Sequence, residues 1–118
     1  WNQIKKISGI EKRPYPNKSY VSADSLIIYV KNKKIALKCR KELLKKKIST
    51  KILPEAYTWH FASEWNHIRE LKIKYPNLRK EFQKSKKLLE KAVSIPIFVK
   101  MKKNVPFKIK QALEKSIK

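Results

Sequence analysis

A short apolar run that leads directly into a helical pattern constrains the fold of this chain more than any other feature. Within residues 24–31, positions 26–30 are all aliphatic or aromatic, which is typical of a buried strand. Residues 32–47 then place apolar side chains at helical spacing with lysines on the opposite face, and Asn32 is a suitable N-cap. A strand followed at once by a helix is half of an α/β or α+β layer.

The remaining patterns predict two more strands and further helices. The two strands are expected at residues 48–53 and 92–100. An aromatic loop ending in a short helix is expected at 55–71, a longer helix at 76–91 and a last helix at 105–117. Pro54 closes the first of these strands, and Pro96 restricts the other to a sheet edge or a bulge, because proline cannot donate to a ladder. The residues expected to face inward on the helix at 76–91 are Leu78, Phe82, Leu88 and Leu89.

The domain organisation follows from length and from the first residues. With 118 residues the chain is expected to form one α+β domain of about three strands and four helices. Trp1, Ile4 and Ile7 recur every three residues, which predicts the end of a helix that Gly9 stops. We therefore expect residues 1–23 to be a helix end and linker, and residues 24–118 to be the body of the domain.

The strong positive charge suggests nucleic acid or an anionic surface as a partner, but the kind and distribution of the basic residues weaken this inference. The formal net charge is +22, and the 31 basic residues include only four arginines, so 27 are lysines. Lysine is a solvated point charge, whereas arginine is the better residue for bidentate phosphate recognition. The lysines are also spread along the whole chain. A small basic nucleic-acid-binding module stays open as the alternative function, as does an interaction domain without chemistry.

The segment 59–67 carries the scarcest side chains. It contains both histidines and two of the three tryptophans, and so it is the candidate functional segment. His60 and Glu64 could share a metal ion, but a catalytic zinc needs three protein ligands and no further ligand cluster completes the site. We expect no metal.

Other chemistries are excluded on local grounds. Gly9 is the only glycine, whereas phosphate-cradling loops need several. Ser63 lacks the glycine-flanked elbow of a hydrolase serine, and Cys39 lies on a lysine-rich helix far along the chain from either histidine. No catalytic residue is expected. The single cysteine fits a reducing, cytoplasmic setting, and because no apolar run approaches the length of a spanning helix, no membrane partner is expected.

Six motifs follow one another in an order that matches one enzyme family. They are Arg13-Pro14, Asp24-Ser25-Leu26, Ile48-Ser49-Thr50-Lys51, Trp59-His60-Phe61, Trp65-x-His67-Ile68-x-Glu70-Leu71-Lys72 and Ser94-Ile95-Pro96-Ile97-Phe98-Val99-Lys100-Met101. Over essentially the whole chain they resemble the C-terminal small domain of the DegT/DnrJ/EryC1/StrS sugar aminotransferases. The tryptophan and histidine motifs are most similar to the branch that aminates an eight-carbon acidic sugar (an octulosonate) of the lipopolysaccharide core.

The resemblance implies the small domain of a fold-type I transferase that depends on pyridoxal phosphate. In such enzymes a lysine of the large domain forms a Schiff base with the cofactor, and an amino group passes from a donor, here expected to be glutamate, to a keto-sugar. The large domain and its lysine are missing from this chain, so the chain alone is expected to be inactive and to bind no cofactor. The complete enzyme is expected to be a homodimer.

The resemblance also implies four substrate-binding residues and one departure from the family. His60 matches a recurrent histidine of the family, and it and Lys51 are expected to contact the sugar's carboxylate or hydroxyls. Trp59 and Phe61 are expected to shape the pocket. Lys47 stands where the family commonly has glycine, and lysine in a left-handed position at a helix end costs roughly 1 kcal/mol or more relative to glycine.

Overall fold

The computed structural model describes residues 1–16, 24–55 and 57–118, without the side chains of Tyr57 and Thr58. Its centre is an antiparallel sheet in the order β1-β2-β3. The strands are β1 (Glu11–Lys12), β2 (Ser25–Tyr29) and β3 (Ala92–Pro96). The helices are α1 (Lys33–Lys45), α2 (Tyr57–His60), α3 (Arg69–Lys74), α4 (Gln83–Glu90) and α5 (Val105–Ile117), with 3₁₀ turns at Ala62–Glu64 and Leu78–Lys80. The chain is therefore an α+β domain, as predicted.

The sheet is covered on both faces. Successive side chains of a strand point to opposite sides, and Ile28 of β2 is fully buried opposite Val93 of β3. Ile27 and Tyr29 point the other way and pack around Ala92. Each face thus belongs to a different hydrophobic cluster, which we call the main core and the second cluster.

The main core lies between one face of the sheet and the helices α1 and α5. Both helices turn an apolar stripe inward, and these stripes contact each other and the sheet. The residues that the two helices bury here are Ala36, Cys39, Leu43, Ile109, Ala112 and Leu113. The second cluster is smaller. Its buried members are Leu53, Phe61 and Ala92, with Leu89 of α4 packed against them.

Both ends of α1 are stabilised by specific hydrogen bonds. At the start, the Asn32 side chain accepts a hydrogen bond of 3.0 Å from the Ile35 amide, which confirms the predicted N-cap. At the end, the Lys47 amide donates to Leu44 O and the Ile48 amide to Leu43 O, the pair of bonds that defines a Schellman motif. Lys47 has φ +60°, so a lysine occupies the left-handed position that usually belongs to glycine.

The predicted helix end at residues 1–10 is wrong. Residues 2–9 form successive turns, although Ile4 and Ile10 are buried in the main core and Gly9 has the expected positive φ of +83°. The chain then adds β1 to the sheet, a strand that the sequence did not predict because it is only two residues long. Residues 17–23 of the predicted linker lie outside the described residues.

The predicted strand at 48–53 is also absent. Ile52 has φ +69°, which a regular strand cannot accommodate. The segment nevertheless runs beside β3, since the Lys51 amide donates to Ser94 O and the Ser94 amide donates to Leu53 O. Within the described ranges the sheet still has three strands, because β1 takes the place of the predicted one. β3 lies at the edge of the sheet and ends at Pro96, as the proline predicted.

The helix predicted at 76–91 begins later than expected. Phe82 has φ +56°, and this left-handed residue separates the 3₁₀ turn Leu78–Lys80 from α4. As a result only part of the predicted inward face is buried. Leu78 is buried and Leu89 partly so, whereas Phe82 and Leu88 are exposed. Among the described residues, no helix is both long and apolar enough to cross a membrane.

Candidate functional site

The segment rich in tryptophan and histidine folds as three short helical pieces instead of one helix. α2 ends at His60, and Phe61 has an extended backbone (φ −117°, ψ 116°) that separates α2 from the 3₁₀ turn Ala62–Glu64. α3 begins only at Arg69. His60 and His67 therefore do not lie on a common helix face.

Aromatic contacts attach this segment to the rest of the fold. Phe61 is buried in the second cluster beneath the sheet, and its ring meets that of Phe82 edge to face, with 6.4 Å between centroids. Tyr75 packs on the other side of Phe82 in a similar geometry. Edge-to-face pairs of this kind are favourable, so the segment is held by its aromatic residues.

An open groove of about 580 Å³ is formed where the two 3₁₀ turns lie side by side. Its wall consists of Trp59, Glu64, Trp65, Asn66, His67, Ile68 and Arg79. The wall combines two indole rings with four polar or charged side chains, so it offers both an apolar surface and hydrogen-bonding groups. Trp59 is 80% exposed, so its ring is available to a ligand.

Hydrogen bonds and charges define how the groove can act. The indole N–H of Trp65 donates to Trp59 O at 2.8 Å, which fixes the second ring. The carboxylate of Glu64 lies 3.0 Å from Lys86 Nζ, so its charge is compensated from α4. Arg79 forms no ion pair with an Asp or Glu of the described residues. The guanidinium is therefore available for an anion.

Of the four predicted substrate residues, the structure brings only Trp59 into the groove. His60 is exposed at the end of α2 and Phe61 is buried beneath it. Lys51 lies elsewhere, and its ammonium is 2.5 Å from Asp24 Oδ2. That hydrogen bond is the main cause that lowers the pKa of Asp24.

A small polar network lies close to Lys51 in the chain. Burial acts to raise the pKa of Glu55, but hydrogen bonds from Thr50 (2.7 Å) and from Arg40 outweigh it, and the pKa is lowered. Glu55 thus links the 48–55 loop to Arg40 of α1. We assign this network to structure.

Arg79 is the residue of the groove that sequence reasoning missed. It is separated from the tryptophans by α3 and belongs to a region predicted as regular helix. The signal that could have found it is its rarity, since it is one of only four arginines. Trp65 and His67 were part of the candidate segment but were not predicted as contacts.

The two side chains of the sequence analysis that could act as nucleophiles are inaccessible. Cys39 and Ser63 are both fully buried, so neither can meet a substrate. Burial is also the main cause that raises the pKa of the Cys39 thiol. No group of three histidine, cysteine, aspartate or glutamate side chains within the described ranges could hold a metal ion.

The described residues also do not fit pyridoxal phosphate. Its Schiff-base lysine requires a desolvated pocket, and none of the lysines in the described part of the chain is buried. The only glycine is Gly9, which leaves no glycine-rich loop for the phosphate.

Comparison with known proteins gives no assignment. No protein-family model matches the chain, and no curated protein and no solved structure shows significant similarity to it. Its function must therefore be argued from the motifs and from the groove.

Proposed function

We propose that this chain is the small domain of a pyridoxal-phosphate-dependent sugar aminotransferase of the DegT/DnrJ/EryC1/StrS type, and that it presents the groove to an anionic keto-sugar. The motif order of the sequence and the α+β fold support this proposal. The observation that carries it is the groove, where Arg79 stands beside Trp59 and Trp65. A sugar acid has an apolar ring face and a carboxylate, and these groups complement an indole and a guanidinium.

In this proposal the groove positions the sugar, and the chemistry is done elsewhere. Arg79 would take the carboxylate in a bidentate ion pair, while Asn66 and His67 would bind hydroxyl groups. His60 and Lys51 remain proposed contacts to the part of the sugar that reaches the large domain. That domain supplies the cofactor and its lysine, so the chain alone is inactive. Glutamate is the proposed donor, and the complete enzyme is a cytoplasmic homodimer that serves cell-surface polysaccharide synthesis.

Sugar binding can be tested on the chain by itself. Quenching of tryptophan fluorescence is titrated with 3-deoxy-octulosonate and with its methyl ester, which lacks the negative charge. We expect the free acid to bind more tightly and Arg79→Ala to weaken it by at least about tenfold, as for a lost hydrogen bond to a charged group. Arg69→Ala is the matched control, because it removes an exposed arginine outside the groove. Equal affinities for acid and ester would contradict the proposed role of Arg79.

Enzyme membership needs a separate experiment. The chain is expressed together with the coding sequence immediately upstream of it, and the purified product is incubated with pyridoxal phosphate, glutamate and the keto-sugar. The proposal expects 2-oxoglutarate to form only when the sugar and both parts of the protein are present. A co-expressed product that binds no pyridoxal phosphate and forms no 2-oxoglutarate would sink it.

A second function, binding of single-stranded nucleic acid, gains from one structural observation. Arg69 follows the aromatic segment in the sequence but does not line the groove, whereas the fold places Arg79 beside its two tryptophans, the combination on which bases stack. Titration of a labelled oligothymidylate at rising salt separates the two functions. Tight, salt-sensitive binding that Trp59→Ala abolishes, without binding of the sugar acid, would replace the first function by the second.

A further inference from the structure

The loop between β3 and α5 exposes three consecutive apolar side chains. Ile97, Phe98 and Val99 are 38%, 62% and 105% exposed. A turn in which the Met101 amide donates to Phe98 O projects them from the end of β3. Exposed apolar runs of this length are rare in soluble proteins unless they contact something. We refer to residues 97–99 as the apolar tip.

The charges that follow the apolar tip in the chain are all positive. Lys100, Lys102 and Lys103 follow it directly and are exposed. Two residues into α5, Phe107 is 55% exposed and is followed by Lys108. No aspartate or glutamate occurs between Glu90 and Glu114. The chain on both sides of the apolar tip is therefore basic. Asp24, whose backbone O accepts from the Ile97 amide, carries a carboxylate that is paired with Lys51.

We propose that the apolar tip inserts into the interface of a bilayer that contains anionic lipid, with Lys100, Lys102 and Lys103 against the headgroups. The charge pattern favours this occupant, because lysines near an anionic leaflet are attracted while carboxylates would be repelled. The shape favours it too. A loop with a fully exposed valine beside a largely exposed phenylalanine suits a soft apolar layer, which can surround both side chains.

This inference goes beyond the proposed enzymatic function and does not depend on it. The expectation of no membrane partner rested on the absence of an apolar run long enough to span a bilayer. Binding at the surface requires only a short apolar insertion together with electrostatic attraction. The groove and the apolar tip share no residue, so either can be lost without the other.

The test is co-sedimentation of the 118-residue chain with vesicles of phosphatidylcholine, with and without phosphatidylserine. We expect binding only to the anionic vesicles, weakening as salt rises. Phe98→Ser with Val99→Ser should weaken it by at least about tenfold. Lys102→Glu with Lys103→Glu should weaken it by at least about twentyfold, since each lysine near the surface contributes roughly fivefold. Both pairs are exposed, so the fold should persist.

The matched control separates a specific site from the attraction of any polycation. Lys84→Glu with Lys87→Glu changes the net charge equally on the exposed face of α4 and should leave binding nearly unchanged. An equal loss in this control, or no binding to anionic vesicles at all, overturns the proposal. A second test places photoreactive benzoylphenylalanine at position 98 in cells. Cross-linking to one protein instead of to lipid would also overturn the proposal.

Discussion

The two faces of the sheet are built in different ways. On one face, α1 and α5 are both long and regular, and they bury the larger part of the apolar side chains. On the other face the chain forms loops and short helical pieces up to residue 82, and two residues there, Ile52 and Phe82, have left-handed backbones. The first face provides the stability of the fold. The second provides an accessible groove, because its pieces cannot pack as closely.

This contrast shows where a function can be located in so small a domain. Trp59 is 80% exposed and Phe61 is 8% exposed, two positions apart. Phe61 attaches the segment to the sheet, whereas the Trp59 ring is exposed beside Arg79. A continuous helix would have buried one face and exposed the other without producing a concave wall. The irregular backbone of the second face therefore creates the candidate site.

The largest expected effect comes from deleting side chains in the two clusters. Leu113→Ala in the main core, where the side chain is fully buried, should lower the free energy of unfolding by about 3 kcal/mol. Leu53→Ala in the second cluster should cost about 2 kcal/mol or less, because that looser region can collapse into the space. Urea unfolding measures both. A larger loss at Leu53 than at Leu113 would break the distinction between the faces.

A smaller effect is expected at the start of α1. Asn32→Ala removes the side-chain acceptor for the Ile35 amide and should cost about 1 kcal/mol. Asn104 stands at the corresponding position before α5 but makes no side-chain cap bond, so Asn104→Ala should change the free energy of unfolding by less than about 0.5 kcal/mol. Equal losses in thermal unfolding would show that the Asn32 bond contributes nothing.

The substitution Lys47→Gly should be stabilising. A left-handed lysine costs about 1–2 kcal/mol, and glycine regains this while losing about 0.5–1 kcal/mol through the greater freedom of the unfolded chain. The net gain is about 0.5 kcal/mol, seen as a higher urea midpoint. Lys46→Gly is the control, because Lys46 has an ordinary φ of −89° and glycine there should destabilise. A loss at position 47 would mean that the Schellman turn is not strained.

The smallest effect concerns a buried carboxylate that joins α1 to α5. Glu42 lies 2.5 Å from Lys45 and 3.3 Å from Lys115, and the hydrogen bond from Lys45 is the main cause that lowers its pKa. Because folding lowers this pKa, the ionised carboxylate stabilises the protein at pH values above the ordinary glutamate pKa. The stabilisation is lost as the pH falls through the lowered pKa.

Titration of stability with and without Glu42→Gln checks this directly. At neutral pH the variant should unfold at a lower urea concentration than the natural chain. In acid the difference between the two urea midpoints should vanish. Glu114→Gln is the control, since Glu114 is 3.8 Å from Lys110 with both side chains exposed, a pair of small value. If Glu42→Gln leaves the acid limb of the stability curve unchanged, the carboxylate does not couple the two helices.

The sequence predicted long elements well and short ones poorly, for a physical reason. The last helix was predicted at residues 105–117 and lies at Val105–Ile117, because several turns of periodic apolar residues leave one way to bury them. β1 has only two residues and no periodicity to read. The apolar spacing from Leu78 to Leu89 indicated one helix. In the structure Phe82 has a left-handed backbone that divides this helix, and its ring contacts Phe61. Such a contact between distant residues is invisible to a local pattern.

The sequence by itself determined the α+β class, the strand and helix at residues 24–47, the Asn32 cap and the left-handed Lys47 position. These depend on neighbours within a few turns of chain. Only the tertiary structure decided that β1 completes the sheet, that Phe61 is buried while Trp59 is exposed, that Lys51 pairs with Asp24, and that Arg79 joins the tryptophans. Those results depend on contacts between residues far apart in the chain, whose energies local spacing does not encode.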